Sequence, residues 1–149
     1  MLSSTVFNQV VDTLKGNDTL SAYVKNVFKS FRFNVEPDSM PCIYVDIVGN
    51  NNPNRPSINT QEEIWLTLKI IAYTYNITQP DKAVVGDDDY KGVLDIENDI
   101  RACLQSSYTL GNRVIDTKCD PTVFYDFKEF PYRGFEIPVK ILYQQIAGA

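Results

Sequence analysis

The chain has 149 residues, 14 basic and 19 acidic side chains, a net charge of −5 and no histidine. Without imidazole, serine and cysteine triads, histidine-ligated zinc sites and most general-base designs near neutral pH are excluded. The acidic balance, with no run of lysine or arginine, argues against a surface that grips phosphate backbones by neutralising them.

The length suits one domain over 1–149, which buries about 68–70% of the surface of the extended chain. Cys42, Cys103 and Cys119 are odd in number and widely spaced, which predicts free, mostly buried thiols in a reducing compartment. No stretch approaches the roughly 20 apolar residues of a spanning helix. The start, MLSSTVFNQ, lacks a signal-peptide pattern, so a soluble protein retained inside the cell is expected. Asn76-Ile77-Thr78 matches a glycosylation acceptor that has no meaning outside the secretory pathway.

In STVFNQVVDTLKGN, Val6, Val10 and Leu14 with Phe7 and Val11 fall at helical spacing. Ser3 or Ser4 is the candidate cap and Gly16 the stop. In the stretch from Asp18, Leu20, Val24, Val27, Phe28 and Phe31 suit a helix while Phe31, Phe33 and Val35 alternate as in a strand, so it reads as helix at its beginning and extended chain at its end. Met40-Pro41 leads into CIYVDIV, where Ile43, Val45 and Ile47 alternate as in a strand. Residues 49–61, with five asparagines and two prolines, read as a surface loop. The following EEIWLTLKIIAYTYN places Ile64, Leu66, Leu68, Ile70 and Ala72 on one face. From Ile70 both faces are apolar or aromatic, which predicts a central or doubly covered strand.

After a second polar loop, YKGVLDIENDIRACLQSSYTLG traces one face through Val93, Ile96 or Glu97, Ile100, Cys103 or Leu104, and Ser107 or Tyr108, with Gly111 as terminator. This is the main helix. NRVIDTKCD and TVFYDFKEF are shorter strand candidates, and residues 131–134 read as a turn. In the final FEIPVKILY, Phe135, Ile137, Val139, Ile141 and Tyr143 alternate. Pro138 inside it predicts a sheet edge or a bulge, because proline donates no ladder hydrogen bond. Together the elements predict an α+β fold, a mostly antiparallel sheet with the main helix packed on it and an N-terminal amphipathic helix.

Asp87, Asp88 and Asp89 with Asp95, Glu97 and Asp99 form the densest carboxylate cluster. Glu97 lies about 200° round a helix from Asp95, and no calcium-loop spacing appears. Acidic residues that cap a helix start explain the cluster more simply than a metal does. Asp81 with Asp126 and Lys128 could be imagined as a magnesium-dependent nuclease set, but the main helix intervenes where the motif would be compact. Tyr73, Tyr75, Tyr125, Tyr132 and Tyr143 with Trp65 lack the interleaved basic residues of a base-stacking platform, and read as cross-strand packing and interface anchors. The scattered glycines build no phosphate cradle, so neither a cofactor nor a metal site is expected. Arg55, Arg113 and Arg133 sit in or beside loops and suit partner contacts.

The order of MPCIYVDIV, a polar hairpin loop, EIWLTLKIIAYTY, YKGVLDIENDIRACLQSS and RGFEIPVKILYQ behind an amphipathic N-terminal helix resembles the tail terminator, or tail-completion, proteins of long-tailed bacteriophages. The resemblance implies a non-enzymatic virion protein whose copies form a hexameric ring on the head-proximal end of the tail tube. Such a ring ends tube growth and offers a joining surface to head-completion, or neck, proteins, and DNA passes its lumen without specific binding. On this reading Asn51, Asn54, Arg55, Arg113, Tyr132 and Arg133 are contact candidates, and an edge strand over 134–145 could pair with a neighbouring copy. Another neck or tail-tube component, a small metal-dependent enzyme such as a nuclease, and a monomeric binding module working through loops 49–61 and 76–89 are the rival readings.

Overall fold

A computed structural model describes residues 2–30, 40–54, 61–75, 80–87, 90–125 and 132–146, with the backbone alone at 51–54, 61, 62, 80, 132, 145 and 146. The fold is α+β, with a six-stranded, mostly antiparallel sheet and helices on one face.

Helix α1 (Ser3–Gly16) buries Val6, Val10, Val11 and Leu14. At this spacing the four side chains share one stripe, and full burial of each contributes about 1.5–3 kcal/mol. Leu2, rather than Ser3 or Ser4, takes the N-cap position, and no side chain caps there. The short α2 (Asp18–Ser21) is capped by Asn17, whose Oδ1 accepts from the Leu20 N–H at 3.0 Å. Strand β1 (Asn26–Phe28) follows. Phe31, Phe33 and Val35, the expected extended segment, lie outside the described residues.

Strands β2 (Cys42–Asn54) and β3 (Gln61–Tyr75) form the long hairpin. Gly49–Asn54, expected as loop, continues β2 instead. Asn51 pairs with Trp65 and Asn54 with Glu63, with register shifts between Ile47 and Gly49 and between Asn51 and Asn54. The strong β3 template supplies the ladder partners that this polar segment's own propensity would not demand. A 3-10 turn (Pro80–Ala83) precedes α3 (Val93–Ser106), which buries Val93, Ile96, Ile100, Cys103 and Leu104 as its spacing predicts. Gly111 belongs to a turn beyond α3, in which Leu110, Gly111 and Asn112 all have positive φ.

Strands β4 (Asp116–Cys119), β5 (Val123–Phe124) and β6 (Tyr132–Ile146) complete the sheet, in the order β1-β2-β3-β6-β4 with β5 also on β6. Among the described strands, only β1 and β2 run parallel. The turn expected over 131–134 is strand from Tyr132 onward, because Tyr132, Arg133 and Gly134 pair with Tyr75, Thr74 and Tyr73.

The edge position expected for the proline-bearing strand is overturned. β6 is paired by β3 along its whole length and by β5 and β4 on its other side, so residues 134–142 have no open edge to offer a neighbour. β3 is central, as expected.

Alternation sends Ile43, Val45, Leu66, Leu68, Ile70, Phe135, Ile137, Val139 and Ile141 toward α1 and α3, where they form the main core. Among the described residues, no helix is long and apolar enough to cross a membrane.

Candidate interaction surface

The face of the sheet away from the helices carries a second apolar cluster of Met40, Cys42, Tyr44 and Ile71, with Phe28, Tyr73, Tyr75 and Tyr125 against it. Phe28 stacks on Tyr44 with ring centroids 5.3 Å apart, Tyr44 meets Tyr73 edge-on at 5.8 Å, and Tyr73 stacks on Tyr125 at 6.0 Å. Such pairs add to area burial through ring electrostatics. Gly134 makes room for the chain of rings, since a Cβ there would stand 2.5 Å from Tyr73 Cδ1. The Tyr125 hydroxyl donates to Glu136 at 3.0 Å, and Glu136 also pairs with Lys69 at 3.3 Å. Burial raises the Tyr73 and Tyr125 phenols, and the bond to Glu136 raises Tyr125 further. The aromatics therefore do structural work, as their cross-strand reading predicts.

At one end of the sheet, two contacts hold the segment 84–87 against the start of α3. The Leu94 N–H donates to the Val84 carbonyl at 3.2 Å. The Asp95 carboxylate accepts from the Gly86 and Gly92 amides at 2.8 and 3.0 Å. Above β3, the Tyr90 hydroxyl donates to the Tyr75 carbonyl and accepts from the buried Thr74 hydroxyl at 2.7 Å.

These contacts leave a groove of about 200 Å³ between Val84, Val93 and Leu94 on one side and Phe124, Tyr125 and Arg133 on the other. Leu94 is 43% and Phe124 46% exposed, and Val85 and Val123 are exposed close by in sequence. Scattered apolar exposure is ordinary, but a contiguous patch marks a contact surface. The Arg133 residue is partly buried, and its side chain makes no ion pair or hydrogen bond among the described residues.

A second exposed apolar pair, Ile47 (61%) and Val48 (54%), stands on β2 at its register shift. Asp46 precedes it and accepts from the Ile47 N–H at 2.9 Å.

The contact candidates divide into two groups. Asn51 and Asn54 lie near the end of β2, and exposed Arg113 sits two residues before Ile115, whose N–H donates to the Leu142 carbonyl in the same region. Tyr132 and Arg133 lie at the other end of β6. From Arg133 to Leu142 is about 30 Å at roughly 3.3 Å per residue, so these residues do not converge. Arg55 lies outside the described residues.

The carboxylate cluster is likewise dispersed. Asp87 pairs with Lys82, Asp95 caps α3, Glu97 pairs with Arg101 at 2.7 Å, and Asp99 accepts from the Tyr23 hydroxyl at 2.8 Å. Among the described residues, no group of three metal-ligating side chains converges. Asp81 is an exposed turn residue, while Asp88, Asp89, Asp126 and Lys128 lie outside the described residues.

Leu94 and Phe124 escaped the sequence reading. A signal for Leu94 existed, because it sits about 130° off the centre of the α3 apolar stripe. Phe124 gave none, because alternation reads the same for an exposed edge position as for a buried one. Comparison with known proteins finds no family model that matches the chain and no curated protein significantly similar to it.

Proposed function

We propose that this chain is a non-enzymatic structural protein of a phage tail or neck, a terminator whose copies form a ring on the head-proximal end of the tail tube. The observation that carries this reading is the pair of exposed apolar surfaces, Leu94 of α3 with Phe124 of β5 and Ile47 with Val48 of β2, the two strands lying toward opposite sides of one sheet. Two different sticky surfaces on one chain favour head-to-tail contact, and head-to-tail contact closes into rings when the rotation permits. The order of helix, long hairpin, main helix and final strand supports the terminator station in particular. A ring of this kind stops growth by occupying the face that would recruit the next tube subunit without regenerating that face.

Among the described residues, Asp87, Asp95, Glu97 and Asp99 are engaged in an ion pair, helix capping or a phenol hydrogen bond, which weighs against a metal site built on these four. Negative-stain electron microscopy of the concentrated protein tests the proposal. Annular particles with a central channel are expected, and fields without them at every concentration would contradict a ring that forms free in solution.

A further inference from the structure

We infer that the groove at the Leu94–Phe124 end is the socket for the Ile47–Val48 pair of a second copy of this chain. The inference rests on the ring reading and specifies its interface. The two surfaces suit each other in three respects. Ile47 and Val48 are adjacent aliphatic side chains, 61% and 54% exposed, on a strand segment beyond the reach of β1, which pairs only with Cys42–Tyr44. The groove walls are Val84, Val93, Leu94 and Phe124, and its volume of about 200 Å³ admits side chains of that size.

The charges are complementary as well. Arg133 on the groove wall has no anionic partner among the described residues, and a partly desolvated guanidinium gains most from a carboxylate brought to it. Asp46 adjoins the aliphatic pair. Its cross-strand neighbour Lys69 is turned to Glu136 at 3.3 Å, and among the described residues the Asp46 carboxylate keeps its backbone contact at Ile47 and no cationic partner.

The positions of the two surfaces complete the argument. In the strand order, β2 lies toward one side of the sheet and β5 lies on the other. A copy that inserts its Ile47–Val48 pair into a neighbour therefore still presents its own empty groove to a third copy. When the rotation between neighbours keeps the two surfaces on different partners, the contact propagates until a ring closes.

Two single substitutions test this in the full chain. Ile47→Asp spoils the inserted pair and spares the groove. Leu94→Asp spoils the groove and spares the pair, and an acidic residue in the first turn of α3 suits the helix dipole, so folding is retained; circular dichroism checks both variants. Native mass by light scattering should find the unsubstituted chain assembled, each variant alone monomeric, and the mixture forming a dimer that does not grow. In that dimer one intact pair sits in one intact groove, with no second junction available. If the unsubstituted chain assembles and the variants assemble equally well, the ring reading stands and this interface is wrong. If the variants are monomeric but their mixture does not dimerise, the head-to-tail junction is wrong. If the unsubstituted chain is monomeric throughout, both the ring in solution and its interface are overturned.

Discussion

The amide of Asp120 donates to the carbonyl of Pro138 at 2.8 Å, at the point where β4 has ended and β5 has not begun. In a strand, a residue's N–H and C=O point to the same side. The nitrogen of Pro138 therefore also faces this break, where no ladder donor is required. Lys69 across the β3 ladder is served by the neighbouring residues of β6. The proline sits inside the sheet because the strand on one side of it is interrupted there. Pro138→Ala should consequently fold normally and lose no more than about 1 kcal/mol, through the freer unfolded chain. Ile137→Pro, one residue away, removes a donor aimed at β3 and should prevent folding. Urea unfolding of both variants checks this, and equal effects would contradict it.

Arg101 fixes the same break from the helix side. Its guanidinium donates to Glu97 at 2.7 Å, to the Asp120 carbonyl at 2.6 Å and to the Thr122 hydroxyl at 2.7 Å, and Thr122 in turn donates to Glu97. Arg101→Ala should destabilise the protein by about 1–2 kcal/mol, since it leaves these acceptors without their charged donor. Arg101→Lys should recover only part, because an ammonium cannot span the three acceptors as a planar fork does. The measurement is the urea midpoint at unchanged slope, and a full rescue by lysine would count against the network.

Tyr23 donates to Asp99 at 2.8 Å, and burial first, then that hydrogen bond, pushes its phenol well above the ordinary value. Tyr125 is raised in the same direction by burial and by Glu136. A raised folded-state pKa means that the native protein holds these protons more tightly than the unfolded chain does. The stabilisation is complete below about pH 10, the unfolded value, and is lost as pH rises from there toward the raised folded values. Denaturant midpoints should fall above about pH 10, and more gently in Tyr23→Phe. An unchanged alkaline slope in that variant would contradict the assignment.

All three cysteines are free thiols, Cys42 and Cys103 buried and Cys119 partly exposed. Burial raises each thiol, and thereby suppresses the reactive thiolate. Alkylation of the native protein should label Cys119 first and slowly, with Cys42 and Cys103 reacting only under denaturant. Mass spectrometry of the labelled peptides reads the order, and early modification of Cys42 would show that the second apolar cluster opens.

The elements whose periodicity meets a single core were legible in the sequence. Val6, Val10 and Leu14, the alternation from Ile64 to Ala72, and the Val93–Leu104 stripe all pack where their spacing points. Gly49–Asn54 was not legible, because its strand character comes from pairing with β3 and not from its own residues. Nor was the central place of β6, since only the chain around Asp120, far away in sequence, decides which side of Pro138 is interrupted. The parallel β1 is three residues long and carries too little pattern to announce itself. Arg133 was singled out by residue type alone. Its neighbours Leu94 and Phe124, which make it part of a surface, were hidden because exposure is set by tertiary packing and not by sequence period.

The most direct test of the ring is the native mass of the purified chain across a concentration series, by light scattering coupled to size-exclusion chromatography. The account predicts one discrete assembly near a sixfold multiple of the 17.0 kDa chain, with no ladder of sizes above it. A monomer at every concentration, or a mass that rises without limit, would contradict a closed ring.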